Sequence, residues 1–145
     1  MKKVISAGGI VYKKVDGKTF FLLIQHSMAG HWSFPKGHVG DNVKDETLEQ
    51  AAIRETLEEG GVKAEIVYHK PYTNSYFLTE DGIKAKKTVY YFLMEFKSGS
   101  TTLHDQEVSE AVFLDYNNAL ESLTYPIDKE LLKKAVAVLK KLKKI

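Results

Sequence analysis

The chain has 145 residues, of which 43% are hydrophobic and 28% charged, and its formal net charge is +2. This length predicts a single domain, residues 1–145, with enough apolar material for one core. Cysteine is absent, which excludes disulfides and thiolate metal sites. No apolar run is long enough to span a membrane, and the balanced charge argues against a nucleic-acid groove. We expect a cytoplasmic protein without a signal peptide or a membrane partner.

The first half of the chain predicts two strands, a loop and a helix. The segments "VISAGGIVYKK" and "TFFLLIQH" are rich in strand-forming residues, and the Asp-Gly pair between them predicts a tight turn. Glycines and a proline punctuate residues 27–46, which predicts a loop. A helix is then predicted from Thr47 to Glu59, with Asp45 as its N-cap and two glycines at its end.

The second half predicts further strands and two helices. "KAEIVYHKPYTNSYFLT" and "KAKKTVYYFLMEF" are joined by a turn at residues 80–82, and "SEAVFLDY" is a short strand. "NNALESL" and the lysine-rich tail "DKELLKKAVAVLKKLKKI" are helical. The apolar residues of the tail share one stripe, so we expect it to pack on the core, with membrane or RNA contact as the alternative. The predicted fold is α/β (α+β), a mixed sheet with helices on both faces.

The predicted first helix contains an unusual cluster of charge, "AAIRETLEEGG". Glu55, Glu58 and Glu59 fall within an arc of roughly 100°, where they repel one another and oppose the helix dipole. Arg54 is the only arginine among 21 basic residues, and its planar fork suits carboxylates. Carboxylate oxygens also suit a hard divalent cation. A metal site is therefore predicted, with a solvated acidic face as the alternative.

The opposite side of this helix is expected to hold it on the protein. Ile53 and Leu57 point away from the acidic arc, which predicts that they anchor the helix to the core. Ala51 and Ala52 are expected to leave space above the carboxylates.

The charge cluster resembles the box of the Nudix hydrolases, G-x5-E-x7-R-E-U-x-E-E-x-G-U, in which U is apolar. The resemblance extends over nearly the whole chain, through "SAGGIVY", "WSFPKGHV", "KTVYYFLMEF" and "EVSEAVFLD". It implies the Nudix fold, an α/β/α sandwich. The box positions are Gly40, Glu46, Arg54, Glu55, Thr56, Glu58, Glu59, Gly61 and Val62.

The sequence departs from the Nudix pattern in two places. Thr56 stands where the box has an apolar residue. In relatives the glycine of "FPKGHV" is normally the box glycine, whereas here Gly37 fits that wording and Gly40 fits the spacing. We interpret this as a three-residue insertion before Glu46. Asp41 and Asp45 are the candidates to replace a glutamate that relatives often carry in this loop.

The resemblance implies metal-dependent hydrolysis of a nucleoside diphosphate linked to another group. It implies that Mg²⁺ or Mn²⁺ is held by Glu55, Glu58, Glu59 and the backbone of Gly37, or of Gly40 given the insertion, with Glu55 or Glu59 also available as a base. Arg54 would hold a glutamate in position, and Glu46 would orient Arg54 or the loop.

Relatives commonly use a further acid from outside the box. Glu107 lies where that residue is expected, with Glu110 as the second choice. An exposed loop acid without a catalytic role is an equally open interpretation of Glu107.

The segments "FPKGH", "YTNSYF" and "KTVYYFLM" resemble the diadenosine tetraphosphate hydrolase branch. A dinucleoside polyphosphate needs cations along its phosphates, for which Lys36, His38 and Lys87 are candidates, and a ring for base stacking, for which Tyr76 is a candidate. Solvated lysines, a loop-bracing histidine and a sheet-face tyrosine are the alternatives. Trp32 and Phe34 are expected in the core.

Three functions therefore stay open. The first is asymmetric hydrolysis of diadenosine tetraphosphate, a small-molecule nucleotide substrate, to ATP and AMP. The second is another Nudix pyrophosphatase, acting on nucleoside triphosphates, a nucleotide sugar or an RNA 5′ end. The third is a non-catalytic nucleotide-binding module, which has no need of the metal carboxylates.

Overall fold

The computed structural model describes residues 1–27, 30–40 and 43–145. Within these residues, seven strands form one sheet, and three α-helices and a short 3-10 helix (Thr101–Leu103) complete the fold. The strands are β1 (Lys2–Val15), β2 (Lys18–His26), β3 (Trp32–Ser33), β4 (Lys36–His38), β5 (Val62–Glu80), β6 (Ile83–Gly99) and β7 (Val108–Asp115). The helices are α1 (Leu48–Gly60), α2 (Tyr116–Ser122) and α3 (Pro126–Lys141).

The sheet is mixed, as the sequence predicted. Its main path runs β3-β2-β1-β6-β5, with β4 paired to β1 and β7 paired to β2. The central pair, β1 and β6, is parallel, and the other pairs are antiparallel. Asp-Gly turns close the β1–β2 and β5–β6 hairpins, with both residues of each turn at positive φ. That backbone is the one that two-residue hairpins require.

Helices cover both faces of the sheet. On one face, α2 and α3 pack against β1 side chains such as Ile10 and Tyr12. On the other face, α1 packs against Val11 and its neighbours. The alternation follows from the two-residue period of a strand. The tail helix packs on the core as expected, and its buried apolar residues are Leu131, Leu132, Ala135 and Leu139.

The segment predicted to be a loop contains two short strands, β3 and β4, and β4 lies close to β1. β4 pairs with β1 opposite Gly8, where a Cβ atom would lie 2.1 Å from the Pro35 carbonyl oxygen. On the opposite face, a Cβ atom at Gly9 would lie 2.7 Å from Oγ1 of Thr56 in α1. Two consecutive glycines therefore let β4 and α1 approach β1 from opposite sides.

The N-cap of α1 is Thr47, so the prediction of Asp45 was wrong. The Thr47 hydroxyl accepts from the Gln50 backbone N–H at 3.1 Å, and the Thr47 N–H donates to the Gln50 side chain at 3.0 Å. This reciprocal pair is a capping box. Asp45 lies two residues earlier with φ 60°, whereas Asp41 is outside the described residues.

The prediction that Ile53 and Leu57 anchor α1 was also wrong. Their exposed fractions are 37% and 49%, whereas Ala51, Ala52 and Thr56 are fully buried. Small side chains form the contact because the helix lies close to the sheet. The hydroxyl of Thr56 faces the Met94 sulfur at 3.9 Å, so the departure from an apolar box residue is accommodated in the core.

Candidate active site

Arg54 is the centre of the charge cluster on α1. Its Nε and Nη2 atoms donate to the two carboxylate oxygens of Glu46 at 2.6 and 2.9 Å. Its Nη1 atom donates to Glu55 at 2.7 Å and to both oxygens of Glu58 at 3.2 Å. Nη2 also donates to the carbonyl oxygen of His38 at 3.2 Å. The single arginine thus joins α1 to the preceding loop, and its contacts with Glu46 hold its position.

Glu55 lies against Gly37, where the missing side chain leaves the space. A Cβ atom at Gly37 would fall 2.0 Å from Oε2 of Glu55. A Cβ atom at Gly40 would meet no described atom within 4 Å, and the Gly40 N–H donates to Glu46 at 3.2 Å. The glycine that contacts the carboxylate is therefore Gly37. Burial raises the pKa of Glu55, although Arg54 opposes the shift.

Glu59 is the most deeply placed of the three box glutamates that follow Arg54. Its exposed fraction is 6%, and its Oε1 accepts from the Lys36 backbone N–H at 2.9 Å. Burial raises its pKa to about 7. Glu58 instead extends toward solvent and pairs with Arg54. The three carboxylates share one side of α1 but differ in environment.

The carboxylates of this cluster are chemically suited to a hard divalent metal, although two of them are held in ion pairs with Arg54. Within residues 1–27, 30–40 and 43–145, no group of three His, Cys, Asp or Glu side chains is arranged to hold a metal ion. Arg54 holds Glu55 and Glu58 in ion pairs. Mg²⁺ needs only one or two protein carboxylates and completes its shell with water and phosphate. Glu55, Glu58 and Glu59, which line the same polar cavity as Gly37, fit that requirement.

Most of the predicted site residues line one polar cavity of about 390 Å³. Arg54 lies behind this cavity and acts on its carboxylates, and Tyr76 lines a second cavity. The residues lining the polar cavity are His26, Lys36, Gly37, His38, Glu55, Glu58, Glu59, Lys87, Asp105 and Glu107.

The polar cavity also contains two lysines in its lining. Lys36 and Lys87 both line the polar cavity, and neither forms an ion pair among the described residues. Burial lowers the pKa of Lys87, and the charge of Lys36 lowers it further. Two ammonium groups that repel each other in a cavity create a favourable position for an anion.

The second cavity has a volume of about 750 Å³ and is mostly apolar. It joins the polar cavity, because His26, Lys36 and Glu107 line both. Tyr76 and Tyr125 are among its aromatic residues. The full lining also includes Ser27, His31, Ser33, Asn74, Phe77, Leu78, Tyr91, Ile127 and Asp128.

Sequence reasoning missed several residues of these cavities. Asp105 lines the polar cavity, and its backbone N–H donates to the Glu58 carbonyl at 2.8 Å. Tyr125 lies with its hydroxyl 2.5 Å from Nδ1 of His31. Asp105 was within reach of the sequence argument, since it precedes Glu107 by two residues. No local signal connects Tyr125 with the distant Tyr76.

The predicted outer acids are placed differently from each other. Glu107 is exposed and lines both cavities, and its N–H donates to Asp105 at 3.1 Å. Glu110 lies on β7 opposite Gln25 and lines neither cavity. Phe34 is fully buried and Trp32 packs against the same core, as predicted.

This helix of carboxylates beside two lysines, on a sheet covered on both faces, fits the Nudix class of proteins. The family model described as NUDIX domain matches residues 2–135, and the chain belongs to that family. Among the described residues, no helix has both the length and the apolar character needed to cross a membrane.

Three comparisons show how specific the likeness is. The chain is 34% identical over 138 residues to the bis(5′-nucleosyl)-tetraphosphatase [asymmetrical] of Caenorhabditis elegans, covering 94% of this chain and 96% of that protein. A crystal structure of a C. elegans Ap4A hydrolase binary complex matches with TM-score 0.66 and 30% identity, covering 94% of this chain and 98% of that one. The chain is also 33% identical to mutator protein MutT4 of Mycobacterium tuberculosis (strain CDC 1551 / Oshkosh), over 94% of its own length but only 56% of that protein.

Proposed function

We propose that the protein is a Mg²⁺-dependent hydrolase that cleaves diadenosine tetraphosphate asymmetrically to ATP and AMP. The observation that carries the proposal is that a cavity lined by lysines and carboxylates lies next to an aromatic one, with His26, Lys36 and Glu107 lining both. The similarity to the C. elegans tetraphosphatase over nearly both full lengths supports the same substrate class. The absence of cysteine is consistent with a cytoplasmic location.

The polyphosphate chain would occupy the polar cavity. Lys36, Lys87 and His38 would contact its anionic oxygens, which would offset the repulsion between the two lysines. Such contacts hold the reacting phosphorus in one position, and positioning is a large part of catalysis in phosphoryl chemistry.

The box glutamates would supply the charge and the base. When bound, the metal neutralises phosphoryl charge and acidifies a water molecule. Glu59 is the better candidate for the base, because Arg54 engages Glu55 at 2.7 Å whereas Glu59 accepts one backbone N–H. Its pKa of about 7 suits proton transfer near neutral pH. Water would add to phosphorus as its proton passes to the carboxylate, and the bond to the leaving nucleotide would break.

Arg54 and Glu107 would have supporting roles. Arg54 would position Glu55 and Glu58 without contacting substrate, since it lies behind the cavity. Glu107 lies at the junction of the cavities, where it could orient a water molecule or a metal-bound phosphate.

One adenine would enter the aromatic cavity. Tyr76 is available as a stacking ring, and Tyr125 lines the same cavity from the N-terminal end of α3. A base–aromatic stack contributes about 1–3 kcal/mol. The base would thereby fix which phosphorus faces the attacking water.

A nucleoside triphosphate pyrophosphatase is the second candidate. Its support is the polar cavity, where the box carboxylates lie beside Lys36 and Lys87 and can serve a triphosphate without the aromatic cavity. A triphosphate would use the same carboxylates and one base pocket, so substrate preference separates the two candidates.

The test is a product assay with Mg²⁺ across diadenosine tetraphosphate, dATP, dGTP and a nucleotide sugar. We expect diadenosine tetraphosphate to be cut fastest, giving equal ATP and AMP, with label from ¹⁸O-water in only one product. Chelator should abolish turnover, and Mg²⁺ or Mn²⁺ should restore it. Two ADP molecules, or equal rates on every substrate, would contradict the proposed specificity.

A matched pair of variants tests the box. Glu59→Gln should lose most of the rate, because the base and its charge are replaced by a neutral amide. Glu49→Gln removes an exposed carboxylate from the first turn of the same helix and should keep the rate. Near-normal turnover of Glu59→Gln would show that this carboxylate has no catalytic role, and inactivity of the wild type on all nucleotides would favour a binding module.

A further inference from the structure

Asp128 is a buried acid that the proposed chemistry does not use. It lies in the first turn of α3 and lines the aromatic cavity. Its exposed fraction is 2%, and its Oδ1 atom has no hydrogen-bond partner among the described residues. A buried carboxyl oxygen without a partner is costly in a folded protein, so its presence in a cavity wall indicates a ligand.

The surroundings of Asp128 favour its neutral form. Tyr76, Tyr91 and Tyr125 line the same cavity, and Lys36 is the cation that acts on the carboxyl group. Burial dominates and raises the pKa of Asp128 to about 6, so the carboxyl group is neutral below that pH and mostly ionised at pH 7. A protonated carboxyl group carries one donor and one acceptor side by side.

A structural role is the alternative. An acid in the first turn of a helix is stabilised by the helix dipole, typically by about 0.3–1 kcal/mol. That role needs no burial, and an exposed acid at the helix end would meet it without a desolvation cost. The dipole therefore accounts for the residue type but not for its place in the cavity wall.

We propose that Asp128 reads the edge of the base, accepting a hydrogen bond from the exocyclic amino group of adenine and donating to the adjacent ring nitrogen. The proposal rests on the assignment of a nucleotide substrate to this site. Adenine presents a donor next to an acceptor, the pattern that asparagine and glutamine side chains match in two-point contacts. A neutral aspartic acid offers the same complementary pair.

The test measures binding rather than turnover, so that it is independent of the proposed reaction. Dissociation constants for AMP, purine riboside 5′-monophosphate and GMP are measured by calorimetry in metal-free buffer at about pH 5, below the raised pKa of Asp128. Purine riboside keeps the ring nitrogens of adenosine and lacks the 6-amino group. The wild type should bind AMP about 10-fold more tightly than the purine analogue, the value of one net hydrogen bond.

Three variants identify the residue responsible. Asp128→Leu should bind AMP and the purine analogue equally, because the acceptor is gone. Asp128→Asn should keep the preference for AMP, because the amide retains a donor and an acceptor. Glu130→Gln removes an exposed acid from the same helix, where it pairs with Lys133 at 3.1 Å, and should behave as the wild type. If Asp128→Leu does not fold, Asp128→Ala replaces it.

Several results would overturn the proposal. These are a wild type that does not distinguish AMP from the analogue, an Asp128→Leu variant that keeps the full preference, or tighter binding of GMP than of AMP. The last result would mean that an ionised carboxylate reads the two N–H groups of guanine. If base discrimination follows the proposal while diadenosine tetraphosphate is not hydrolysed, only the proposed function fails. If hydrolysis proceeds without discrimination, only the proposal for Asp128 fails.

Discussion

Replacing Gly37 by alanine tests which glycine of the loop belongs to the active site. The new Cβ atom would lie 2.0 Å from Oε2 and 2.1 Å from Cδ of Glu55. Ordinary contact between such atoms is about 3.5 Å, so the carboxyl group must retreat by about 1.5 Å. A misplacement of about 1 Å in a catalytic group can cost on the order of 100-fold in rate. We therefore expect kcat/KM to fall about 100-fold.

Stability should change much less than activity in this variant. Gly37 is not among the residues with positive φ, so alanine fits its backbone, and the displaced atoms belong to the end of a flexible side chain. The assay combines steady-state kinetics with urea unfolding.

Gly40→Ala is the matched control, because Gly40 has φ 81° and open space around it. It should lose about 1–2 kcal/mol of stability through backbone strain and keep its rate per folded molecule. Full activity in Gly37→Ala, or loss of activity only in Gly40→Ala, would refute the placement of Gly37 beside the catalytic carboxylate.

Three further predictions concern single side chains. Arg54→Lys should lower kcat/KM by about 10–100-fold with the charge kept, because one ammonium group cannot replace a fork that holds three glutamates; wild-type kinetics would contradict the positioning role. Asp128→Asn should be about 3 kcal/mol more stable than the wild type at pH 7 in urea unfolding, and the difference should disappear below about pH 4. The sign follows because the pKa is raised to about 6 from 3.8 on folding, so the wild type loses stability as pH rises through that window; a difference independent of pH would contradict it. Thr56→Val should change the free energy of unfolding by less than about 1 kcal/mol, because the only hydrogen-bond partner of the buried hydroxyl among the described residues is a sulfur atom at 3.9 Å; a large loss of stability would show that the hydroxyl has a structural role.

The helix of the charge cluster could be predicted because its information is local. Arg54, Glu55 and Glu58 meet within one or two turns, and Glu46 is only eight residues before Arg54. A period of 3.6 residues and the box spacing are enough to bring these groups together.

The buried face of the same helix could not be predicted from apolar pattern alone. Ile53 and Leu57 were the expected anchors, yet a helix that approaches a sheet closely buries small residues, here Ala51, Ala52 and Thr56. The distance between the two layers depends on Gly9 in β1, which is far from α1 in the chain. Helix periodicity carries no information about that distance.

The aromatic cavity was predicted only in part for a similar reason. Tyr76 was identified from its sequence segment. Tyr125 and Asp128 line the cavity because the start of α3 packs against the face of the sheet formed by β5 and β6. Contacts between residues so far apart in the chain depend on strand register and helix packing, which a short sequence motif does not predict.

Gly8 and Gly9 of β1 have no side chains, and this lets β4 and α1 lie close enough to β1 to enclose the site. Glycine weakens a strand by roughly 0.5–1 kcal/mol relative to alanine, so a consensus-based effort to stabilise this protein would be drawn to Gly8 and Gly9. A methyl group at Gly8 would push β4 outward and take the Lys36 N–H away from Glu59. A methyl group at Gly9 would lift α1 from the sheet on the other side. The gain in strand propensity would therefore be offset by the displacement of β4 and α1, which would expose the site to water on both sides of β1.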